Sequence, residues 1–473
     1  MATNFAALSV AEVTCRGISV AVTLYLAQAL GATGFGRIEF AFNIVFWLVL
    51  LVREGLEVIA AREIARHPQL IRPLVNHVLA VRSVLALGLL AGLVTVGMIS
   101  LSHAVDRAVL ALYGLMLLTT ALGLDFVFRG LERVGIVAIS LVVRTSLYAL
   151  GVALWVSDAS RIVWVPGCLV AGEACGIALV WGRYVRKFGL PRPTLRGSRS
   201  LRVFLRRGKP VYLIQVSQAL IGSVDLLVVG LLSRWADVGL YSAPHRMVTA
   251  VLTFGMIFQQ VVFPSLARSW RDTPAACRRS LDALVRVLML GLVPLAVGAT
   301  VLAGPLMRYL FHTEYSGAAL LLAVGVWRAP LLTLAFLYQT TLIALNREAV
   351  GVRLLMAGAI GSAPLVAALR LAFGLLGGVV AILLTGLALV AAGYGRLAHE
   401  GRQPSWHHHL GHPIAASMAM VPPCLLLVRF HVLAAAAGGV VVYLLALAAL
   451  GGLRREDLRT ILGREPVGPL GGR

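Results

Sequence analysis

Seven arginines lie inside stretches that are otherwise apolar over the length of a membrane span: Arg16, Arg53, Arg82, Arg144, Arg246, Arg286 and Arg328. A guanidinium is planar and permanently charged, and its five donors form a fixed fork that pairs with phosphate or carboxylate oxygens. Acids share the same stretches, at Glu12, Glu57, Asp125, Glu173 and Asp225. Two chemistries are open to such a set. Self-neutralised acid–base pairs would fix helix packing and do nothing further. An excess of guanidinium would instead line a wet cavity and receive an anionic substrate, with the acids serving a coupling cation. An arginine at the bilayer centre costs on the order of 3 kcal/mol, so each one requires an acid, a water-filled cavity or a nearby helix end. Arg82 and Arg286 fall close to expected span ends and are expected to snorkel there. Arg16, Arg53, Arg144, Arg246 and Arg328 have no such exit.

Helical spacing sorts these residues onto faces. Glu12 and Arg16 are four apart, as are Arg53 and Glu57, so each pair shares one side of a helix. Gln218, Gly222 and Asp225 follow an i, i+4, i+7 stripe, and Arg328 and Gln339 share a face across three turns. Glu12, Glu57, Arg144, Asp225 and Arg328 are therefore candidate cavity or coupling residues.

The elements that carry them follow from composition. Of 473 residues, 59% are hydrophobic and only 13% charged, against about 25% charged in soluble domains, and the mean hydropathy is +0.89. Such a chain is an all-α polytopic membrane protein. Apolar runs near 4–30, 38–60, 78–100, 107–128, 135–156, 163–183, 210–233, 240–265, 283–304, 318–345, 352–372, 375–395, 413–430 and 432–453 predict about 14 transmembrane helices. Arginine is concentrated in alternate connections, which places those connections and both termini in the cytoplasm. The net charge of +22 is then an orientation signal rather than a nucleic-acid surface. Ten basic residues and no acid occupy 183–209, near the midpoint, as a linker or a stripe along anionic headgroups. The halves echo each other: Gly36 and Gly239 each follow a short outer loop and precede a long apolar helix ending at Ala65-Arg66 or Ala267-Arg268.

Other signals are weaker. The five cysteines have neither zinc nor disulfide spacing. The start of the chain lacks a basic region before its first apolar run, so that run is expected to be a retained helix. His407, His408, His409 and His412 cluster beside Trp406, but no acid or cysteine completes a metal site. Gly88 and Gly92 have the small-xxx-small spacing of closely packed helices, and Pro166, Pro264, Pro294, Pro330 and Pro364 are expected to bend spans. No phosphate-cradling Gly-Lys-Ser/Thr loop occurs, which argues against ATP hydrolysis.

Three stretches carry a family resemblance: AQALGATGFGRIEFAFNIVFWLVLLVREGLEVIAAREIAR from Ala27, ADVGLYSAPHRMVTAVLTFGMIFQQVVFPSLAR from Ala236, and EYSGAALLLAVGVWRAPLLTLAFLYQTTLIALNRE from Glu314. They are similar to bacterial polysaccharide-biosynthesis membrane proteins, the Wzx-type O-antigen and capsule repeat-unit flippases of the multidrug/oligosaccharidyl-lipid/polysaccharide exporter superfamily. The resemblance implies two six-helix lobes around a central cavity, over 1–190 and 210–400. A basic cytoplasmic linker at 191–209 and two extra helices with a tail in 401–473 would complete the chain. It implies translocation of an undecaprenyl-pyrophosphate-linked oligosaccharide across a bacterial inner membrane by alternating access, without catalysis or a cofactor. Arg16, Arg53 and Arg246 match helices whose arginines contact the pyrophosphate in relatives, and Pro244 and His245 depart from the small residues usual there. Implied partners are the lipid-linked oligosaccharide, membrane lipids and the glycan polymerase or glycosyltransferases of one pathway. Rival readings are a multidrug or cation antiporter, which calls for an acidic cavity, and a membrane glycan polymerase or ligase, which calls for a large outer loop.

Overall fold

The computed structural model describes residues 2–53, 56–194, 198–267, 273–405 and 407–452; side chains are described throughout these except at 2–9, 198–211, 254, 256–267, 276 and 407–409. Regular structure among them is entirely helical. This follows from the solvent: in hydrocarbon every backbone N–H and C=O must be satisfied within its own segment. Ten helical stretches are long and apolar enough to cross a membrane among the described residues. Large apolar side chains are exposed on these helices, Ile99, Leu371 and Leu445 among them. This is a multi-pass membrane protein.

The chain divides into two compact units, Met1–Val216 with Ser233–Gly239, and Ser217–Leu232 with Leu240–Arg473. The first unit opens with α1 (Ala2–Arg53) and α2 (Leu56–Arg66), followed by α3 (Ile71–Ser100). Next come α4 (Ala104–Gly114), α5 (Met116–Leu122) and α6 (Asp125–Gly130), short helices filling the place of one expected span. α7 (Gly135–Trp155) and α8 (Trp164–Phe188) form an antiparallel pair, and α9 (Ser198–Leu232) and α10 (Trp235–Ala267) each contribute to both units. The backbone of α9 is already helical within the stretch read as a linker.

A loop was expected before Gly36, but α1 turns at a single residue, Gly31 (φ 65°), and Gly36 lies inside the helix. The left-handed conformation is open to glycine at little cost, so one residue replaces a loop. Gly36 instead provides a close approach. A Cβ there would fall 2.0 Å from the carbonyl oxygen of Trp235, and one on Gly239 would fall 1.9 Å from that of Ala32.

In the second unit α11 (Pro274–Val301), α12 (Ala303–Phe311), α13 (Ala319–Gly325) and α14 (Arg328–Ala344) lead to α15 (Glu348–His399), which breaks at Phe373 and Gly374. α16 (His407–Ala419), α17 (Val421–Leu427) and α18 (Val432–Ala449) pack on α11 through Met420, Cys424, Ala435 and Tyr443. Pro294 and Pro364 lie within helices as expected. Pro166 and Pro330 instead occupy first turns, where a missing N–H breaks no bond. The side chain of Pro264 and the tail beyond Gly452 lie outside the described residues.

Close helix packing is not where Gly88 and Gly92 suggested it. Nothing lies within 4 Å of a Cβ built at either. The tight contact is made by Gly172 and Gly176 of α8 against α7, where added Cβ atoms would sit 2.6 Å from the Arg144 carbonyl oxygen and 3.0 Å from that of Ser140. The Ser140 hydroxyl also donates to the Gly176 carbonyl at 2.9 Å. A Gly172→Ala substitution should therefore destabilise the protein by about 1–3 kcal/mol, while Gly88→Ala and Gly92→Ala should be neutral or slightly stabilising. Unfolding of the three variants in one detergent checks this, and equal stabilities would show that α7 and α8 yield without cost.

Candidate functional site

In the first unit, the glycine-mediated approach of α7 and α8 sets Arg144 beside Glu173, and their ion pair measures 3.0 Å. The same guanidinium reaches Asp125 at 2.8 Å. Asp125 occupies the first turn of α6, where a helix N-terminus favours an acid. One cation thus serves two carboxylates in a partly buried cluster on three helices. The expected Arg53–Glu57 pair forms at 3.7 Å, with the Arg53 side chain 49% exposed. Arg16 is exposed and Glu12 partly so. No ion pair joins them among the described residues, although they share a face.

Arg82 and Arg286 do not snorkel. Arg82 is fully buried; it donates to the carbonyl oxygens of Arg53 at 2.9 Å and Gly123 at 3.4 Å, and its guanidinium lies 5.5 Å from the Phe126 ring centroid. Carbonyl dipoles and an aromatic face replace water for that charge. In the second unit, Arg286 is likewise buried and donates to the Gly452 carbonyl at 2.6 Å.

The second unit also holds a buried polar network. Asp225 on α9 has no exposed surface and Arg328 on α14 only 5%. Arg328 Nη1 donates to Asp225 Oδ2 at 2.7 Å, and its Nη2 donates to the carbonyl of Gly222. The expected Gly222–Asp225 face is therefore the surface that receives Arg328. The Tyr241 hydroxyl donates to the same Oδ2 at 2.7 Å. His245, one turn further along α10, places Nδ1 3.3 Å from Arg328 Nη1 and 3.5 Å from Asp225 Oδ2. Gln339, on the Arg328 face, is fully buried, and its side-chain amide has no partner among the described residues.

Sequence reasoning named Asp225 and Arg328 separately but missed their union, and it read His245 only as a departure from relatives. The signal was present: Tyr241 and His245 are spaced i, i+4 on the helix following the one that carries Asp225. Arg246 is partly exposed on α10. The histidine-cluster side chains at 407–409 lie outside the described residues. No group of three or more histidine, cysteine or carboxylate side chains with metal-binding proximity occurs among the described residues.

Residues 1–270 match the model of the family described as polysaccharide biosynthesis protein. The chain belongs to that family. Within the polysaccharide biosynthesis proteins, a similar curated relative is the probable low-salt glycan biosynthesis flippase Agl15 of Haloferax volcanii, 23% identical over 284 residues. That similarity spans 59% of this chain and 58% of the relative, so just over half of the relative's length is matched. The fold resembles that of the lipid II flippase MurJ in an inward closed conformation, with a TM-score of 0.73 and 14% identity, over 94% of this chain and 98% of that one. It also resembles a multidrug resistance MATE family transporter of the MOP superfamily in an inward-facing conformation. That match has a TM-score of 0.65 and 14% identity, over 81% and 94% of the two chains. The polysaccharide biosynthesis chain thus shares its fold with these two transporters.

Breaking one half of the Asp225–Arg328 pair leaves the other charge buried. Arg328→Met alone should cost about 3–5 kcal/mol, and the Asp225→Leu/Arg328→Met double variant should recover most of it. A double-mutant cycle by unfolding in detergent measures this, and an Arg328→Met protein as stable as wild type would mean that water reaches Asp225.

Proposed function

We propose that this chain is a flippase that carries an undecaprenyl-pyrophosphate-linked oligosaccharide from the cytoplasmic to the outer leaflet by alternating access, and that it is not an enzyme. Membership of the polysaccharide biosynthesis family is the observation that carries the reading. The similarity to a probable glycan biosynthesis flippase and the fold shared with a lipid II flippase support it. We place the protein in a bacterial inner membrane with both termini cytoplasmic, beside the polymerase and glycosyltransferases of its pathway, on the alternation of arginine among its connections. Its architecture would be two six-helix lobes over 1–190 and 210–400, joined by the basic segment 191–209, with the two further helices in 401–473.

The physical problem is to take a pyrophosphate and a polar glycan through hydrocarbon, where unpaired charge is far too costly to pass at a useful rate. Guanidinium forks remove that barrier by replacing the water around the phosphate oxygens. Accessibility to a ligand supports the assignment of three of the seven arginines. Arg82, Arg286 and Arg328 are buried. Arg16 and Arg53 are exposed and Arg246 partly so. These are the three that the family resemblance assigned to the pyrophosphate.

A second reading, a cation antiporter of the same superfamily, draws on the excess of acid in the Asp125–Arg144–Glu173 cluster. Export in a deletion strain separates the two. Cells lacking this protein should lose surface glycan and accumulate the lipid-linked intermediate. Wild type should restore export, while Arg16→Ala, Arg53→Ala and Arg246→Ala at equal abundance should each lower it by at least about tenfold, as expected for loss of one charge-assisted contact worth ~1.5–3 kcal/mol. Unchanged surface glycan in the deletion strain, with new sensitivity to cationic drugs, would instead establish the antiporter.

A further inference from the structure

We propose that a cavity between α3 and α4 binds one anionic phospholipid, with an acyl chain inside it and the phosphate on Arg107. The site is independent of the flippase reading; only its assignment to a leaflet rests on the topology given with that reading.

The cavity lies within the first unit, where α3 ends at Ser100 and α4 begins at Ala104. Its volume is about 340 Å³. Leu93 and Gly97 of α3 border it, with Ala104, Ala108 and Ala111 of α4. The three alanines follow an i, i+4, i+7 spacing and so share one helix face. A face of methyl groups beside a glycine leaves space that longer side chains would fill. The two helices still touch: a Cβ on Gly97 would fall 3.0 Å from Leu110 Cδ2, and one on Gly114 2.8 Å from Leu90 Cδ1. The cavity is a gap within a packed pair.

What fills it follows from its surroundings. Val96, Met98 and Ile99 of α3 and Val105 of α4 are exposed, and in a membrane protein such a surface meets hydrocarbon. Arg107 is the one polar side chain that borders the cavity. Water needs two to four polar partners to stay in a cavity, so the space beside the alanines is left to lipid chains. At about 30 Å³ per water-sized group, it holds on the order of ten methylenes, most of one acyl chain. A polyisoprenyl chain is longer, and its methyl branches suit the space poorly.

Arg107 turns that space into a site for a particular headgroup. Its Nε donates to the Leu101 carbonyl at 2.7 Å, which fixes the plane of the guanidinium. Its two terminal nitrogens remain for a phosphate, whose oxygens match the fork. No acid pairs with Arg107 among the described residues, and the neighbouring carboxylate of Asp106 is turned to Arg37 at 3.4 Å. A zwitterionic lipid would bring its own cation to a place where the nearby acid is already taken. An anionic lipid brings none. Arg107 stands in the first turns of α4, at the end of a span, where a cation lies at headgroup depth. On the topology given above, the connection 101–103 faces outward, which puts the lipid in the outer leaflet.

The test uses the purified full-length protein in detergent, with phosphatidylglycerol or phosphatidylcholine added and bound lipid counted by native mass spectrometry. Wild type should bind one phosphatidylglycerol at least about tenfold more tightly than Arg107→Gln does, as expected for one charge-assisted contact. It should also prefer that lipid over phosphatidylcholine, a preference that Arg107→Gln should lose. Ala108→Phe, which fills the cavity, should remove the tight site for both lipids. Ala111→Leu fills the same space should the first variant fold poorly. Thermal unfolding reports on the fold of each variant and gives a second readout, since phosphatidylglycerol should raise the midpoint of wild type but not of the filled variants. Equal affinity and equal stabilisation in wild type and variants would overturn the proposal. Equal binding of the two lipids by wild type would also overturn it, by removing the headgroup contact. Displacement of phosphatidylglycerol by an equal concentration of geranylgeranyl pyrophosphate would make the cavity a passage for isoprenyl pyrophosphates and overturn the phospholipid assignment. Failure of the flippase reading would show instead in the surface glycan of the deletion strain.

Discussion

A guanidinium inside hydrocarbon has no water to fall back on, and the interior of this protein is organised around that constraint. Each buried arginine is answered by the protein itself, in a manner set by the helices around it. Arg328 meets a carboxylate and a carbonyl, Arg144 meets two carboxylates, and Arg286 meets a carbonyl. Arg82 meets two carbonyls and the face of Phe126. These solutions differ in rigidity. A carbonyl is fixed by its helix and can hold a charge in one place only. A carboxylate shared by several donors can exchange one for another, as the carbonyl partners of Arg82 cannot.

Backbone approach supplies the geometry that makes such partners available. Gly172 and Gly176 let α8 lie against α7 closely enough for Glu173 to reach Arg144. The same device appears where Gly36 and Gly239 meet the carbonyls of Trp235 and Ala32. Van der Waals contact drives association where lipid tails compete equally well for apolar side chains, so small residues mark the places where helices touch. Polar partners then collect beside those contacts, since a side chain of limited reach can bridge only helices that are already close.

Which parts of this were legible beforehand follows from the range of each interaction. Spans are local properties of hydropathy, and the helical elements lie where the apolar runs were. Arg53 with Glu57, and Gly222 with Asp225, are intrahelical relations set by a period of 3.6 residues, and both are present. The partners of Arg144 and Asp225 are tertiary. Asp125, Arg144 and Glu173 stand on three helices, as do Asp225, Tyr241 and Arg328, and no spacing in one chain encodes a meeting across helices. The small-xxx-small signal was read at Gly88 and Gly92, which face open space, because it cannot distinguish a helix–helix seam from a lipid-facing groove. Arg82 and Arg286 were misplaced for a related reason: distance to a span end was measured along the sequence, whereas burial depends on what covers the helix from the side.

The division of the arginines also bears on the chemistry of the substrate. A cavity for cationic drugs gains from exposed acid, yet the acids of the described interior are largely occupied: Asp225 by Arg328 and Tyr241, Asp125 and Glu173 by Arg144, Glu57 by Arg53. Arg16 offers an exposed guanidinium on α1, in the first stretch expected to span, with no ion pair to Glu12 among the described residues. A permanently charged fork left accessible at such a position is costly unless something anionic visits it. On the flippase reading proposed above, Arg16 is a place where an anion would be received. A phosphate has the two or more oxygens that a planar fork binds in pairs.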